Sequence, residues 1–263
     1  MGMLVVLGIV PVAEAQLGIS ISPSRVEILT GPGRTVRETV TLVNRSSVAL
    51  QVKLEMTDFD VDTADSVIEA PSGTRPESLA AYLKVTPSTA SVPAGGSAVF
   101  RFLVHAPEQF TQLREMVFFR SAPVVGQTGG PRVVIVPRLG IPVYLENRKA
   151  TPGQLVVKKL EIKRDGQTGD HIVLDLEVAN QGERNFRPTG TLEVRSADGS
   201  FRKLYQLNEA REPVLPGKLR VWSLRFGPVP GGELSLHVRL ATSFKSEYTA
   251  QRTLAAVSSP SSS

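Results

Sequence analysis

Apolar and polar residues alternate with a period of two along almost the whole chain, while the 3.6-residue spacing of an amphipathic helix is nearly absent. Ile19 and Ile21, then Val26 and Ile28, predict a first strand that switches course at Pro23. Val36, Val40 and Leu42 share one face of a second strand, and Leu50, Val52, Leu54 and Met56 one face of a third. Tyr82 to Val85 reads as a short strand. Ala98, Phe100, Phe102 and Val104 form the clearest stripe of the first half, launched from the turn Pro93-Ala94-Gly95-Gly96. Met116 to Arg120 follows. The longest pattern runs from Val133 to Leu145, with Val133, Ile135, Leu139, Ile141, Val143 and Leu145 on one face, and predicts a single long strand. Only Pro76 to Ala81 hints at a helical turn.

The second half repeats the scheme. Leu155 to Ile162, Ile172 to Val178, Thr191 to Val194, Phe201 to Leu207, Leu219 to Phe226, Leu234 to Leu240 and Tyr248 to Leu254 are its strands. Two local echoes point to duplication. Val40-Thr41-Leu42-Val43-Asn44 is matched by Leu176-Glu177-Val178-Ala179-Asn180, and Pro93-Ala94-Gly95 before Val99-Phe100-Arg101-Phe102 by Leu215-Pro216-Gly217 before Val221-Trp222-Ser223-Leu224. About seven strands per half, with turn signals between them, predict an all-β chain of two tandem immunoglobulin-like β-sandwich domains. The first domain is placed at 16–147 and the second at 148–256. Their junction is the polar, turn-rich Glu146-Asn147-Arg148-Lys149-Ala150-Thr151-Pro152-Gly153, and a Ser-rich tail at 257–263 is expected to be disordered.

Composition narrows the function. With 263 residues there is room for two ordinary domains, and 22 Gly and 19 Pro suit short strands joined by many turns. The net charge of +5 comes from Lys and Arg scattered among acids. It forms no basic stripe with aromatic platforms, so no nucleic-acid partner is expected. No cysteine occurs, which removes disulfides, thiol catalysis and zinc–thiolate sites. At the N-terminus an apolar run from Met3 to Val12 precedes Ala13-Glu14-Ala15, an A-x-A pattern before Gln16. That predicts a signal peptide over 1–15 and an exported, periplasmic protein, although no Lys or Arg precedes Arg25. No segment reaches the ~20 apolar residues of a membrane helix, so no membrane span is expected.

Catalytic chemistry is not visible. There is no G-x-S-x-G elbow, P-loop or G-x-G-x-x-G, and His105, His171 and His237 lack companions at ligand spacing, so no catalytic residue, metal or cofactor is expected. Asp58-Phe59-Asp60-Val61-Asp62 matches a calcium loop at several positions. Thr63, however, stands where such a loop turns on Gly, and alternating Asp with Phe and Val also describes a strand end. Asn44-Arg45-Ser46 is a sequon by pattern and a turn by composition. Arg25, amid apolar neighbours, reads either as an edge-strand guard or as a cationic anchor for a carboxylate.

The segments Ser24-Arg25-Val26, Val40-Thr41-Leu42-Val43-Asn44, Leu83-Lys84-Val85-Thr86-Pro87 and Leu113-Arg114-Glu115-Met116-Val117-Phe118-Phe119, with the long closing strand, resemble the N-terminal domain of periplasmic pilus (fimbrial) chaperones. The resemblance covers about Ile19 to Leu145; the second half is similar only as another immunoglobulin-like sandwich. It implies a chaperone that binds and shields pilin-like subunits by donating a β-strand, with Val133, Ile135 and Leu139 as donor positions. Arg25 is then the cleft arginine that holds the subunit's terminal carboxylate. Pro142 stands where the family's cleft lysine would align, and Pro137 interrupts the stripe and removes a ladder donor. The physical basis would be β-augmentation: main-chain hydrogen bonds for affinity, alternate side chains for register. A monomer, or weak self-association through the edge strand, goes with that reading. The alternative is a structural or adhesive cell-envelope protein whose immunoglobulin-like domains bind protein or glycan partners.

Overall fold

The computed structural model describes residues 18–64, 66–121, 124–125, 134–135, 138–165 and 169–257. Its strands are β1 (Ile19–Ser22), β2 (Val26–Thr30), β3 (Thr35–Asn44), β4 (Leu50–Val61), β5 (Val67–Pro71), β6 (Leu83–Thr86), β7 (Thr89–Val92), β8 (Ser97–His105), β9 (Gln112–Ser121), β10 (Val124–Val125), β11 (Val134–Ile135) and β12 (Arg138–Asn147). After the junction come β13 (Leu155–Arg164), β14 (Ile172–Asn180), β15 (Gly190–Ser196), β16 (Arg202–Leu207), β17 (Leu219–Phe226), β18 (Leu234–Ala241) and β19 (Glu247–Leu254). The chain is all-β, two immunoglobulin-like sandwiches in tandem. The signal-peptide reading at 1–15 and the end of the tail, 258–263, lie outside the described residues.

In the first sandwich a sheet ordered β1-β3-β8-β6 faces a sheet ordered β2-β12-β9-β4-β5, with β7 also paired to β4. Alternation explains the core. Val26, Ile28, Val40, Leu42, Val52, Phe100, Phe102, Val104, Val117, Ile141, Val143 and Leu145 all turn inward and are buried. Pro23 ends β1, because proline cannot supply a ladder N–H. The chain therefore leaves β3 in one sheet and joins β12 in the other as β2. The second sandwich stacks β13-β14-β17 on β16-β15-β18-β19 around Leu174, Leu176, Leu192, Val194, Leu236 and Val238.

Three sequence expectations are corrected. Within the stretch expected as one strand, Val133 to Leu145, Val134–Ile135 pair with β10 in a ribbon of their own and Arg138–Asn147 belong to the main sheet; 133, 136 and 137 lie outside the described residues. Strands β5 and β7, short and with mixed exposure, were not foreseen. The helical turn lies at Ala80–Tyr82 as a 3₁₀ turn, later than the expected Pro76 to Ala81.

The echoed asparagines have matching surroundings. Asn44, fully buried, donates through Nδ2 to the carbonyls of Val48, Val92 and Pro93, and its Oδ1 accepts from Ser46 N–H. Asn180, 2% exposed, donates to Arg184 and Val214 carbonyls, and its Oδ1 accepts from the N–H groups of Gln154 and Gly182. In each sandwich one carboxamide at a strand's end, that of β3 or β14, satisfies the backbone of the turn that follows, which no ladder can reach.

Candidate strand-donating edge and interdomain cleft

Strand β12 has two different halves. From Val143 to Asn147 it lies between β9, antiparallel, and β2, parallel. From Arg138 to Pro142 it pairs with β9 alone, and among the described residues no strand lies on its other flank. Beyond it, Val134 and Ile135 pair with Val125 and Val124 in a two-stranded ribbon separate from the main sheet. Leu139 is half-buried where the stripe leaves the core, whereas Ile141, two residues on, is 2% exposed. Of the expected donor positions, Val133 lies outside the described residues and Ile135 is placed by its backbone on β11. Leu139 stands beside the open flank. Pro142 pairs with Met116 and offers only a carbonyl to any strand it faces.

The other face of β12 is apolar too. Tyr144 packs with Phe59, Met116 and Phe118 in a cluster completed by Leu215 of the second domain. Gly140 is required here: a Cβ would meet Phe118 Cε1 at 2.6 Å. The Phe118 ring therefore lies across the strand, with the Arg138 guanidinium 3.3 Å from its centroid. Two hydrogen bonds of 2.8 Å fix Arg138 to the Glu69 carboxylate, which they hold below the usual carboxylate range. These residues escaped the sequence reading. A signal was present, since Met116-Val117-Phe118-Phe119 is apolar at both parities, the mark of a strand covered on both faces.

Arg25 sits just before β2, opposite Pro142 by extension of the Val26–Val143 register. Its Nε lies 3.5 Å from Glu27 Oε2, and Arg187 of the second domain donates to the same carboxylate at 2.6 Å. Arg187 also donates to the Arg211 carbonyl and stands 5.5 Å from the Tyr144 ring centroid. Asn185 N–H donates to Glu146 Oε1 at 2.8 Å, and burial raises the Glu146 carboxyl. Glu27, Tyr144, Glu146, Asn185, Arg187 and Arg211 line an interdomain cleft of about 240 Å³. Glu27 thus already holds both Arg25 and Arg187. Two further contacts join the domains: Lys218 donates to Asp60 at 2.6 Å, and Val221 N–H to the Thr63 carbonyl. Asp60 is ringed by Lys218, Arg114 and Arg75 within 3.7 Å, so the Asp58–Asp62 segment is a strand end neutralised by protein cations, not a calcium loop. Among the described residues no three His, Asp or Glu side chains converge as metal ligands, and no helix is long and apolar enough to cross a membrane.

Two carboxyls, those of Asp58 and Glu115, lie close together at the end of the first core. Burial would raise Asp58, but the Ser78 hydroxyl and the N–H groups of Arg75, Gly73 and Thr74 outweigh it and hold the acid low. Glu115, fully buried, is pushed up to about 7, chiefly by burial. The Ser72 hydroxyl opposes that rise, and the nearby Asp58 adds to it.

No family model matches the chain, and no curated protein matches it. Among solved structures it is similar to the class 5 fimbriae chaperone CfaA, at 14% identity over 91% of this chain and 100% of that one, with a TM-score of 0.45. A chain of the Salmonella enterica SafA pilin–SafB chaperone complex gives 12% identity over 92% and 99%, with a TM-score of 0.45. The E. coli chaperone DraB gives 16% over 89% and 96%, with a TM-score of 0.44.

Proposed function

We propose that this protein is a periplasmic chaperone-like protein that binds and shields pilin-like subunits by lending them a β-strand. One observation carries the reading: β12 is zipped on both flanks over Val143–Asn147 and open on one over Arg138–Pro142. An open flank presents unpaired backbone groups, and a subunit strand laid there gains main-chain hydrogen bonds. Val133, Ile135 and Leu139 then supply the alternating side chains, and Arg25 the anchor for a terminal carboxylate, once that carboxylate displaces Glu27. The resemblance of the first half to pilus chaperones supports the same reading.

The test is co-expression with a candidate pilin-like subunit. The double variant Ile135→Asp, Leu139→Lys should leave the protein folded and send the subunit into the insoluble fraction. A subunit that stays soluble beside the folded variant sinks strand donation. The second reading, a structural or adhesive envelope protein, is favoured by the Arg25–Glu27–Arg187 arrangement, in which Glu27 already holds both arginines. Glu27→Gln separates the two. It frees Arg25 and should tighten capture of a subunit with a free C-terminal carboxylate, and have no effect on an adhesive protein.

A further inference from the structure

The second sandwich is open along one side. Strand β16 ends its sheet with β15 as sole strand partner, and β17 ends the facing sheet with β14 as sole strand partner, among the described residues. The connection between them, 208–218, crosses from one sheet to the other and is tied at its start. Asn208 adopts φ 55°, donates to the Pro188 and Glu212 carbonyls, and accepts from Glu212 N–H. It closes one end and leaves a groove of about 510 Å³ between the two edges. Tyr205, Trp222, Leu224 and Phe226 line the groove, and Leu204 stands at its rim, 57% exposed. Two polar atoms in this lining are buried without a hydrogen-bond partner, Tyr205 Oη and Trp222 Nε1, the latter on a side chain that is 9% exposed. Buried donors of this kind are ordinarily satisfied.

We infer that this groove is a second polypeptide site, distinct from β12, which takes an extended segment with apolar side chains at alternate positions and a basic residue toward Glu209. The β16 flank supplies unpaired backbone groups over six residues, about 20 Å of strand. Alternate side chains of a segment paired there drop onto the aromatic floor, and its carbonyls accept from Trp222 Nε1–H and the Tyr205 hydroxyl. Charge sets the direction. Glu212 is paired with Arg220 at 2.6 Å, while Glu209 at the closed end has no ion-pair partner among the described residues.

Trp222 is the only tryptophan, so its emission reports this groove directly. The probe is a synthetic heptapeptide alternating Val and Thr with Lys at one end, titrated into the full chain. A saturable change in emission is expected. It should weaken about tenfold in Leu204→Glu, a rim change that leaves the fold intact by circular dichroism, and less in Tyr205→Phe. The same peptide with Glu in place of Lys should bind several-fold more weakly, and amide exchange should slow over Arg202–Leu207. No emission change, or one untouched by Leu204→Glu, overturns the proposal. So does a response to tri-N-acetylchitotriose with none to the peptide, which makes the groove a glycan site. Leu139→Lys should leave the titration unchanged; loss of the signal there moves the binding to β12 and overturns the second site.

Discussion

The two sandwiches treat the outer faces of comparable sheets in opposite ways. On β13-β14-β17 the outer face is a lattice of surface ion pairs, Lys159 with Glu161, Lys163 with Asp175 and Arg225 with Asp165. On β12-β9-β4 it is apolar, with Tyr144, Met116, Phe118 and Phe59 buried under Leu215. A sheet face can be that greasy only where something covers it. In the first domain the cover is the second domain, and the strand that carries the open flank is braced from behind. The contrast also locates the ionisable groups that matter. The second sandwich buries one charged group, Arg220, which is paired with Glu212, whereas the first buries the two acids Asp58 and Glu115 at the end of its core.

The sharpest way to break the comparison is at its shared feature. Asn44→Ala and Asn180→Ala should each destabilise by about 3 kcal/mol, because each leaves several buried backbone groups unpaired. In urea, Trp222 emission should follow the Asn180→Ala loss and lag behind circular dichroism for Asn44→Ala. A cost below about 0.5 kcal/mol at either site would end the claim that the two turns are equivalent. Next in size, Leu215→Ala removes the cover over the apolar face and should cost about 2–3 kcal/mol. A calorimetric trace that splits into two transitions would show that this contact couples the domains; a single unsplit transition would show that the ion pairs suffice.

The buried acid comes third. Glu115 titrates near 7 in the folded protein and lower when unfolded, so the folded state holds the extra proton between those values. Its contribution to stability is therefore full below the unfolded value and is lost as the pH rises through 7. Glu115→Gln should abolish that decline and add about 2 kcal/mol at pH 8 relative to wild type. Asp58 works in the opposite sense: its lowered titration stabilises at neutral pH, and that contribution is lost on acidification. Smallest is Gly140→Ala, whose Cβ must displace the Phe118 ring, at about 1 kcal/mol. Thermal denaturation measures it, and no change would mean that the ring swings aside freely.

Much of this was legible in one dimension. Period-two alternation located the seven strands found among the described residues of the second half, because in a half-buried strand burial and hydropathy share the same period. The echo of Asn44 by Asn180 was visible as well, since the turn each supports has to be built within a few residues. Arg25 and Leu139 were readable as positions, but not as partners. That Glu27 and Arg187 enclose the arginine's charge depends on strands distant in sequence, and so does the release of one flank of β12 at Pro142. The separate partners of β11 and β12, the nearness of Asp58 to Glu115, and the groove between β16 and β17 were decided by assembly alone. Alternation determines which way a side chain points; only the packed tertiary structure determines what it meets there.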